Sequence, residues 1–435
     1  MRIQSMFRRG AWVSILTLVF TAGCQGLFDI KNPGQILDDD LNDPALIPVL
    51  ITGLSSDVSD FVDEMSFDVA RLTDEMAGSG SYTDTGLFRR GYAEQDQVGY
   101  VWDQAHEARW MADLHIARIQ KLVPDQFDNN PYVARAYMFQ GVANKALGEN
   151  YCQVVYSDPD GTYGNLLPPD SAFQRAITAF QNTLAMADTS PYYQAAAHAG
   201  LASAYVGLDN WDMAEQHAAQ VPTDFVVYAY YDYNDDTNVV YVETHQRPEM
   251  STIQTYAGSF DPPDPRAPFT KCDVTGTCQN AQGADGQTPH WRQEKYPEYG
   301  TDIVILSGKE ARLIEAEYAL RHDDLTEFTN QINQVRALYN LPPITEPATA
   351  GALEYPNAYD DGWSILDAER ELTLWIEGHR LFDLRRWNHP FLQGGTVVWP
   401  SDPVRDECMP VPASECRYNP NFTCAETAAV PNGVH

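Results

Sequence analysis

HAGLASAYVGLDNWDMAEQHAAQV, residues 198–221, reads as two helices joined by a short turn. Leu201, Ala202, Tyr205, Trp211 and Ala214 stand at spacings of 1, 3, 6 and 3, which gathers small and aromatic side chains on one face. Small residues let two helices approach closely, and rings fill the gaps between successive pairs. The same grammar extends outward. PYVARAYMFQGVANKALGENY (131–151) pairs with AFQRAITAFQNTLAMAD (172–188), with Ala176 and Phe180 in register, across a loop rich in Gly, Pro and Asp. SGKEARLIEAEYALRH (307–322) pairs with LTEFTNQINQVRALY (325–339).

These stretches look like degenerate tetratricopeptide (TPR) repeats. They predict a mainly α fold, an α-solenoid core of TPR-like helical repeats with a loop-rich, partly β insertion. A helix starts at about Pro44, with Ile47, Leu50, Leu54, Val58, Phe61 and Met65 along one face. A long helix runs from about Gln95 to Val123, striped by Val98, Val101, Ala105, Ala108, Ala112, Ile116 and Ile119, until Pro124 stops it. The helical part is therefore placed at 44–222. Residues 223–300 break the pattern with VVYAYYDYNDDTNVVYVE, FDPPDPRAPF and PHWRQEKYPEY, which suit loops with a few short strands. Helices resume over 301–389, the last from about Ser364 to Asn388, and a Pro- and Cys-rich tail fills 390–435.

The N-terminus gives an address. Arg2, Arg8 and Arg9 precede an apolar run from Ala11 to Ala22. That run is about 18 Å long as a helix, too short for a bilayer core of about 30 Å. Residues 1–23 read as a removed export signal. No later segment is expected to be long and apolar enough to span a membrane. Thr21-Ala22-Gly23-Cys24 resembles a bacterial lipobox, so Cys24 is expected to carry lipid, followed by a tether over 24–43. Thr21 departs from the usual Leu, Val or Ile.

With 28 Lys and Arg against 61 Asp and Glu, the 435-residue chain has a net charge of −33. Nucleic-acid binding is excluded, because phosphate backbones demand a basic face. The same charge disfavours polyanionic ligands and favours neutral or cationic ones. Besides Cys24, six cysteines remain in an oxidising compartment: Cys152, Cys272, Cys278, Cys408, Cys416 and Cys424. Cys272 and Cys278 bracket DVTGT, where Gly276 permits a tight reversal, so that pair is expected to bond. Six cysteines allow fifteen connectivities, and the rest stays open.

Asp232, Asn234, Asp236, Asn238 and Glu243 occupy positions 1, 3, 5, 7 and 12 of an EF-hand-like calcium loop. Thr237 stands where the sharp turn needs Gly, and a solvated acidic loop explains the same residues. No cofactor is expected, calcium here being the alternative. Glu369, Glu377, His379, Arg380 and Asp383 crowd one helix, yet Ile365, Ala368, Leu372, Trp375, His379 and Phe382 share its buried stripe. Buried Arg–carboxylate pairs are the sensible reading. Gly378 inside that helix suggests close approach of another backbone. Without G-x-S-x-G, H-E-x-x-H or a P-loop, no enzyme is expected.

ERELTLWIEGHRLFDLRRW (369–387) closely resembles the signature E-R-x-x-E-L-x-x-E-G-x-R-x-x-D-L-x-R-W of the SusD/RagB-like outer-membrane nutrient-binding lipoproteins. LSGKEARLIEAEYAL (306–320), DPR (264–266), KYP (295–297), MPVP (409–412) and NPN (419–421) follow in the family's order. Ser307-Gly308-Lys309 replaces an arginine-containing start, and the six cysteines are not general to the family. The resemblance implies a lipid-anchored cell-surface protein that binds an oligosaccharide or peptide and caps a SusC-like TonB-dependent transporter in the outer membrane. It also implies that Cys152, after the Gly-Glu-Asn turn, joins the cluster of Cys408, Cys416 and Cys424. A TPR-type scaffold for protein partners alone is the other reading.

Sugars stack apolar C–H faces on rings and hydrogen-bond planar polar groups. DEMAGSGSYTDTGLFRRGY (74–92) offers Asp74, Tyr82, Arg89 and Tyr92, and the resembling family builds part of its site from the corresponding loop. The insertion offers Tyr230, Tyr231, Trp291, Tyr296 and Tyr299. The two segments are expected to form one shallow platform, although packing of loops on the solenoid would also account for several of these tyrosines.

Overall fold

Helix starts follow the capping chemistry of the sequence. Asn130, Ser190, Asn210, Ser307, Asp324 and Asp361 each accept a backbone N–H of the first turn that follows. Pro131 and Pro191 sit where the missing N–H does no harm. The computed structural model describes residues 38–158, 161–186, 190–234, 236–393 and 404–427. The export signal (1–23), Cys24 and the tether up to residue 37 lie outside the described residues, as do 394–403 and 428–435 of the tail.

The chain divides into Met1–Leu46 and Ile47–His435. In the first unit the described residues form two 3-10 turns, Asp38–Leu41 and Pro44–Leu46. The second contains α1 (Ile47–Leu72), β1 (Ala77–Gly78), α2 (Thr83–Arg89), α3 (Gly99–Leu122), α4 (Pro131–Asn150), β2 (Val154–Val155), β3 (Leu166–Leu167), α5 (Asp170–Ala185), α6 (Pro191–Gly207) and α7 (Trp211–Ala218). Then come β4 (Val226–Ala229), α8 (Val239–Tyr241), β5 (Met250–Ser251), β6 (Phe269–Lys271), β7 (Trp291–Gln293) and β8 (Ile303–Ser307). Last are α9 (Gly308–Arg321), α10 (Leu325–Leu338), α11 (Gly362–Thr373), α12 (Arg380–Arg386) and α13 (Ala413–Tyr418).

Successive helices pack as repeats: α3 on α4, α4 on α5, α5 on α6, α6 on α7, and α9 on α10. Because α9 also packs on α6 and α7, residues 223–300 leave and rejoin the stack between neighbouring repeats. Two rings set the spacing. A Cβ added at Gly141 of α4 or Gly200 of α6 would stand 2.7 or 2.4 Å from Phe180 of α5. At Gly148 or Gly207, two turns on, it would stand 3.1 or 2.4 Å from Phe173. Each ring thus replaces the side chains that two flanking helices lack.

Pro44–Leu72 is, by length and composition, apolar enough to cross a membrane, which corrects the expectation that no later segment is. Its Ile51, Leu54, Val58, Phe61 and Val69 are buried in the protein's largest core, so α1 serves as a core helix. The strands form four antiparallel pairs, β1–β5, β2–β3, β4–β8 and β6–β7. β4–β8 carries a register shift between Val227 and Tyr228. Within the insertion, the stretch from Val239 is helical, α8 continuing as a π-turn over Val242–Gln246.

The expected helix from Ser364 to Asn388 is broken. It stops at Thr373 and restarts at Arg380, with Ile376 at φ 55° and Gly378 at φ +80°. Glycine is present because of that left-handed backbone, not because of a close neighbour. A Cβ there would meet nothing nearer than 3.6 Å. The backbone groups freed by the break find partners elsewhere, as burial requires. Glu75 Oε1 accepts from the Ile376 N–H at 2.8 Å, Lys295 donates to the Trp375 carbonyl at 2.6 Å, and the Tyr296 hydroxyl donates to the Ile376 carbonyl at 3.0 Å.

Candidate functional site

The charges of the signature segment are absorbed by packing. Arg380 reaches Asp74 through two bonds of 2.7 and 2.8 Å, and also Asp367 and Glu371. Arg370 holds Asp383 at 2.7 and 3.0 Å, and Arg386 holds Glu317. Arg266 of the DPR stretch joins Asp264 to Glu369. Despite burial, the Arg370 and Arg386 guanidiniums hold the Asp383 carboxyl down at about 2. His379 is buried as expected, with Nδ1 3.5 Å from Glu149.

Several proposed ligand contacts are likewise structural. Asp74 is buried and spends both oxygens on Arg380. Tyr296 is buried beneath the helix break, and Tyr231 is buried with its hydroxyl on the Ser59 carbonyl at 2.8 Å. These three residues are corrected from ligand contacts to packing and backbone-satisfying roles. Trp291 is partly buried and stacks on Phe269 at 5.7 Å, with Lys271 over its ring. Tyr230 is exposed and pairs with Tyr228. Arg89 lies 3.6 Å from Asp285, and Tyr92 is partly buried under Arg90.

The two segments do meet. β1 pairs with β5 in the register Ala77↔Ser251, and Glu249 accepts from the Ser79 and Ser81 N–H groups. Arg71, buried against the Phe67 ring, anchors the loop by binding Asp84 and Thr85. At this junction Tyr82, 39% exposed, accepts a 2.7 Å hydrogen bond from Arg247. The preceding residue, Gln246, donates to the Tyr299 hydroxyl.

From Tyr299 the rings continue as a ladder. Tyr241 lies 4.7 Å from Tyr299, His245 stacks on Tyr241 at 4.6 Å, and Tyr233 meets the other edge of Tyr299 at 6.1 Å. Tyr233 is exposed; Tyr241, His245 and Tyr299 are partly buried. Buried Asn238 sets the alignment, donating its N–H to the Tyr299 carbonyl and accepting the Tyr241 N–H at 2.9 Å. Asp63 accepts the Val239 N–H beside it. Glu298, bonded to Tyr233, and Glu243, 3.2 Å from Arg247, supply polar groups around the rings. Burial pushes the Glu243 carboxyl up, against the pull of Arg247.

Of the residues expected to form the platform, Arg89, Tyr92, Tyr230 and Trp291 make their contacts elsewhere, while Tyr82 and Tyr299 stand in one cluster with Tyr233, Tyr241, His245, Gln246 and Arg247. A legible signal for these was the i, i+4 spacing of Tyr241 and His245, hidden in a run of β-branched residues that reads as strand. In this structure the residues of the calcium-like spacing take other partners. Asp232 caps its own turn at Asn234, Asp236 binds Ser56, Asn238 orders the ladder and Glu243 faces Arg247. Among the described residues no group of three or more His, Cys, Asp or Glu could hold a metal ion.

Residues 310–425 match the model of the SusD family. No curated protein sequence matches the chain. A SusD-like carbohydrate binding protein from Bacteroides fragilis NCTC 9343 superposes with a TM-score of 0.66 at 14% identity, over 88% of this chain and 99% of that one. A SusD superfamily protein from Bacteroides vulgatus ATCC 8482 gives 0.62 at 14% identity, over 88% and 98%. A laminarin binding SusD-like protein gives 0.61, again at 14%, over 88% and 98%. At such identity the likeness is one of fold.

Proposed function

We propose that this SusD/RagB-like chain is a glycan-binding lipoprotein without enzymatic activity, holding an oligosaccharide on the ladder Tyr233–Tyr299–Tyr241–His245 beside Tyr82 and Arg247. The observation that carries the reading is that ladder: one exposed and three partly buried rings, fringed by the Arg247 guanidinium, the Gln246 amide and the Glu298 carboxylate, where two distant segments are stitched together. Ring faces take the apolar side of a pyranose, and the fringe takes its hydroxyls. Support also comes from the relatives, one described as carbohydrate binding and one as laminarin binding. Lipid on Cys24 would hold the protein at the outer-membrane surface, and a SusC-like TonB-dependent transporter would receive the glycan.

Calorimetric titration with laminarin and a panel of neutral oligosaccharides tests the site. Tyr241→Ala and Tyr299→Ala, each checked for folding by circular dichroism, should weaken the bound glycan by about tenfold or more. Wild-type affinity in both variants would place the glycan elsewhere. Cys24→Ala should abolish membrane partitioning, and a TonB-dependent transporter should co-purify with the native protein from outer membranes.

A further inference from the structure

An opening lies among α3, α4 and α5, none of which contributes to the ring ladder. It encloses about 440 Å³ and is lined by Arg109, Asp113, Gln140, Asn144, Gln174 and Arg175. Typical small-molecule pockets of about 300–1,000 Å³ are mostly apolar with few polar groups. Here hydrogen-bonding side chains dominate.

The cations in this chamber exceed the anions. Arg109 is buried and gives one bond to Asp113 at 3.3 Å, while its Nε–H has no partner. Arg175 is exposed, lies 3.9 Å over the Tyr156 ring, and makes no ion pair with a described residue. Arg109 flanks the same ring at 5.0 Å. Tyr156 is fixed in turn by its hydroxyl bond of 2.8 Å to Asn144. Asp113, the one carboxylate among the described lining residues, accepts from Arg109 and from Gln140. In a chain of net charge −33, two guanidiniums around one lining carboxylate are a local exception, with Asp158 the next acid on the Arg109 side.

Guanidinium forks match carboxylates through paired N–H bonds, and the surrounding amides suit ring hydroxyls. Arg109 also lines an adjoining pocket of about 400 Å³, where Trp102, His106 and Trp110, the last 37% exposed, offer ring faces for a neighbouring sugar and Asp103, Glu107, Asp158 and Glu415 confine a second acid to the Arg175 side. We propose that this chamber is a second saccharide subsite, selective for a sugar unit that carries a carboxylate, with Arg109 and Arg175 on the acid. The proposal rests on the chain being a glycan binder but uses none of the ladder's residues.

Digalacturonate, its neutral counterpart galactobiose, and sodium sulfate are titrated into the full chain and into its Arg175→Gln and Tyr299→Ala variants. Arg175 is exposed, so its replacement leaves the fold intact. Digalacturonate should bind wild type and Tyr299→Ala alike, and Arg175→Gln should weaken it by about tenfold or more. Equal affinity for galactobiose, or sulfate binding as tightly as the uronate, would overturn the proposal. So would the absence of digalacturonate binding. Loss in Tyr299→Ala but not Arg175→Gln would assign the acid to the ladder, sparing the first reading and sinking this one.

Discussion

Single residues carry much of the geometry, and glycines test the claim in opposite directions. Gly378 sits at φ +80°, where a side chain is strained whatever the space around it. Gly378→Ala should destabilise the protein by about 1 kcal/mol or more, read from urea unfolding. Gly53 lies exposed inside α1 with nothing within 4 Å of an added Cβ, so Gly53→Ala should stabilise by about 0.5–1 kcal/mol. Gly200→Ala would drive a methyl to 2.4 Å from Phe180, and overpacking of this kind costs about 1–3 kcal/mol. A neutral result at Gly378 would mean that the break in the signature segment is not fixed by its backbone. Asn238→Ala is a functional counterpart, since it frees the Tyr241 N–H that holds one rung of the ladder and should weaken glycan binding while leaving the helices folded.

At the scale of elements, burial decides which charges matter. Arg380 on α12 is surrounded by Asp74, Asp367 and Glu371, and burial together with Asp74 pushes the Glu371 carboxyl well above the usual range. Arg380→Leu leaves those acids without their cation and should cost about 3–5 kcal/mol, visible as early loss of fluorescence from buried Trp375. A second group acts through pH. Burial holds the Glu64 carboxyl on α1 up to about 8, with Asp68 adding to it and Arg71 opposing, and it holds Asp57, Asp68 and Asp236 up to about 6. Unfolded carboxyls titrate at about 4, so from about pH 4 to 8 these four groups bind more protons in the folded chain than in the unfolded one, opposed below about pH 6.5 by His106, His198, His217 and His290, which burial holds down. The carboxyls' contribution to stability therefore falls as pH rises through that window. Glu149 and Asp383, depressed to about 2, weaken the fold only in stronger acid and do not offset this slope. Melting should occur at higher temperature at pH 5.5 than at pH 8.5, with the difference reduced in Glu64→Gln; an unchanged difference in that variant would remove Glu64 from the account.

Across the whole molecule, what the sequence made legible follows its periodicity. The solenoid helices could be read because their apolar and small residues recur at helical spacing over many turns, and caps such as Ser190 and Asp324 mark their starts. The break at Ile376 could not, since its support comes from Glu75, Lys295 and Tyr296, far away in the chain. The proposed ligand surface is half legible for the same reason: aromatic content points to the insertion, but the arrangement of its tyrosines depends on Asn238 and on a π-turn without a periodic signature. Cysteines were the long-range pairing information the sequence did carry. Cys272 bonds Cys278 as the short bracket implied, Cys152 bonds Cys408, one of the three cysteines that the family resemblance left open as its partner, and Cys416 bonds Cys424. Their contributions should differ by loop length. Cys152–Cys408 closes a separation of 256 residues, where chain entropy gives about 5–6 kcal/mol, against about 2 kcal/mol for the 6-residue Cys272–Cys278 loop. The long bond also backs a seam already zipped by Cys152 N–H on the Met409 carbonyl and Met409 N–H on the Asn150 carbonyl, so its removal loosens the tail from α4. The Cys152→Ser/Cys408→Ser double variant should lose far more thermal stability than Cys272→Ser/Cys278→Ser, and equal losses would show that the 152–408 seam is held by its hydrogen bonds and packing without the covalent link.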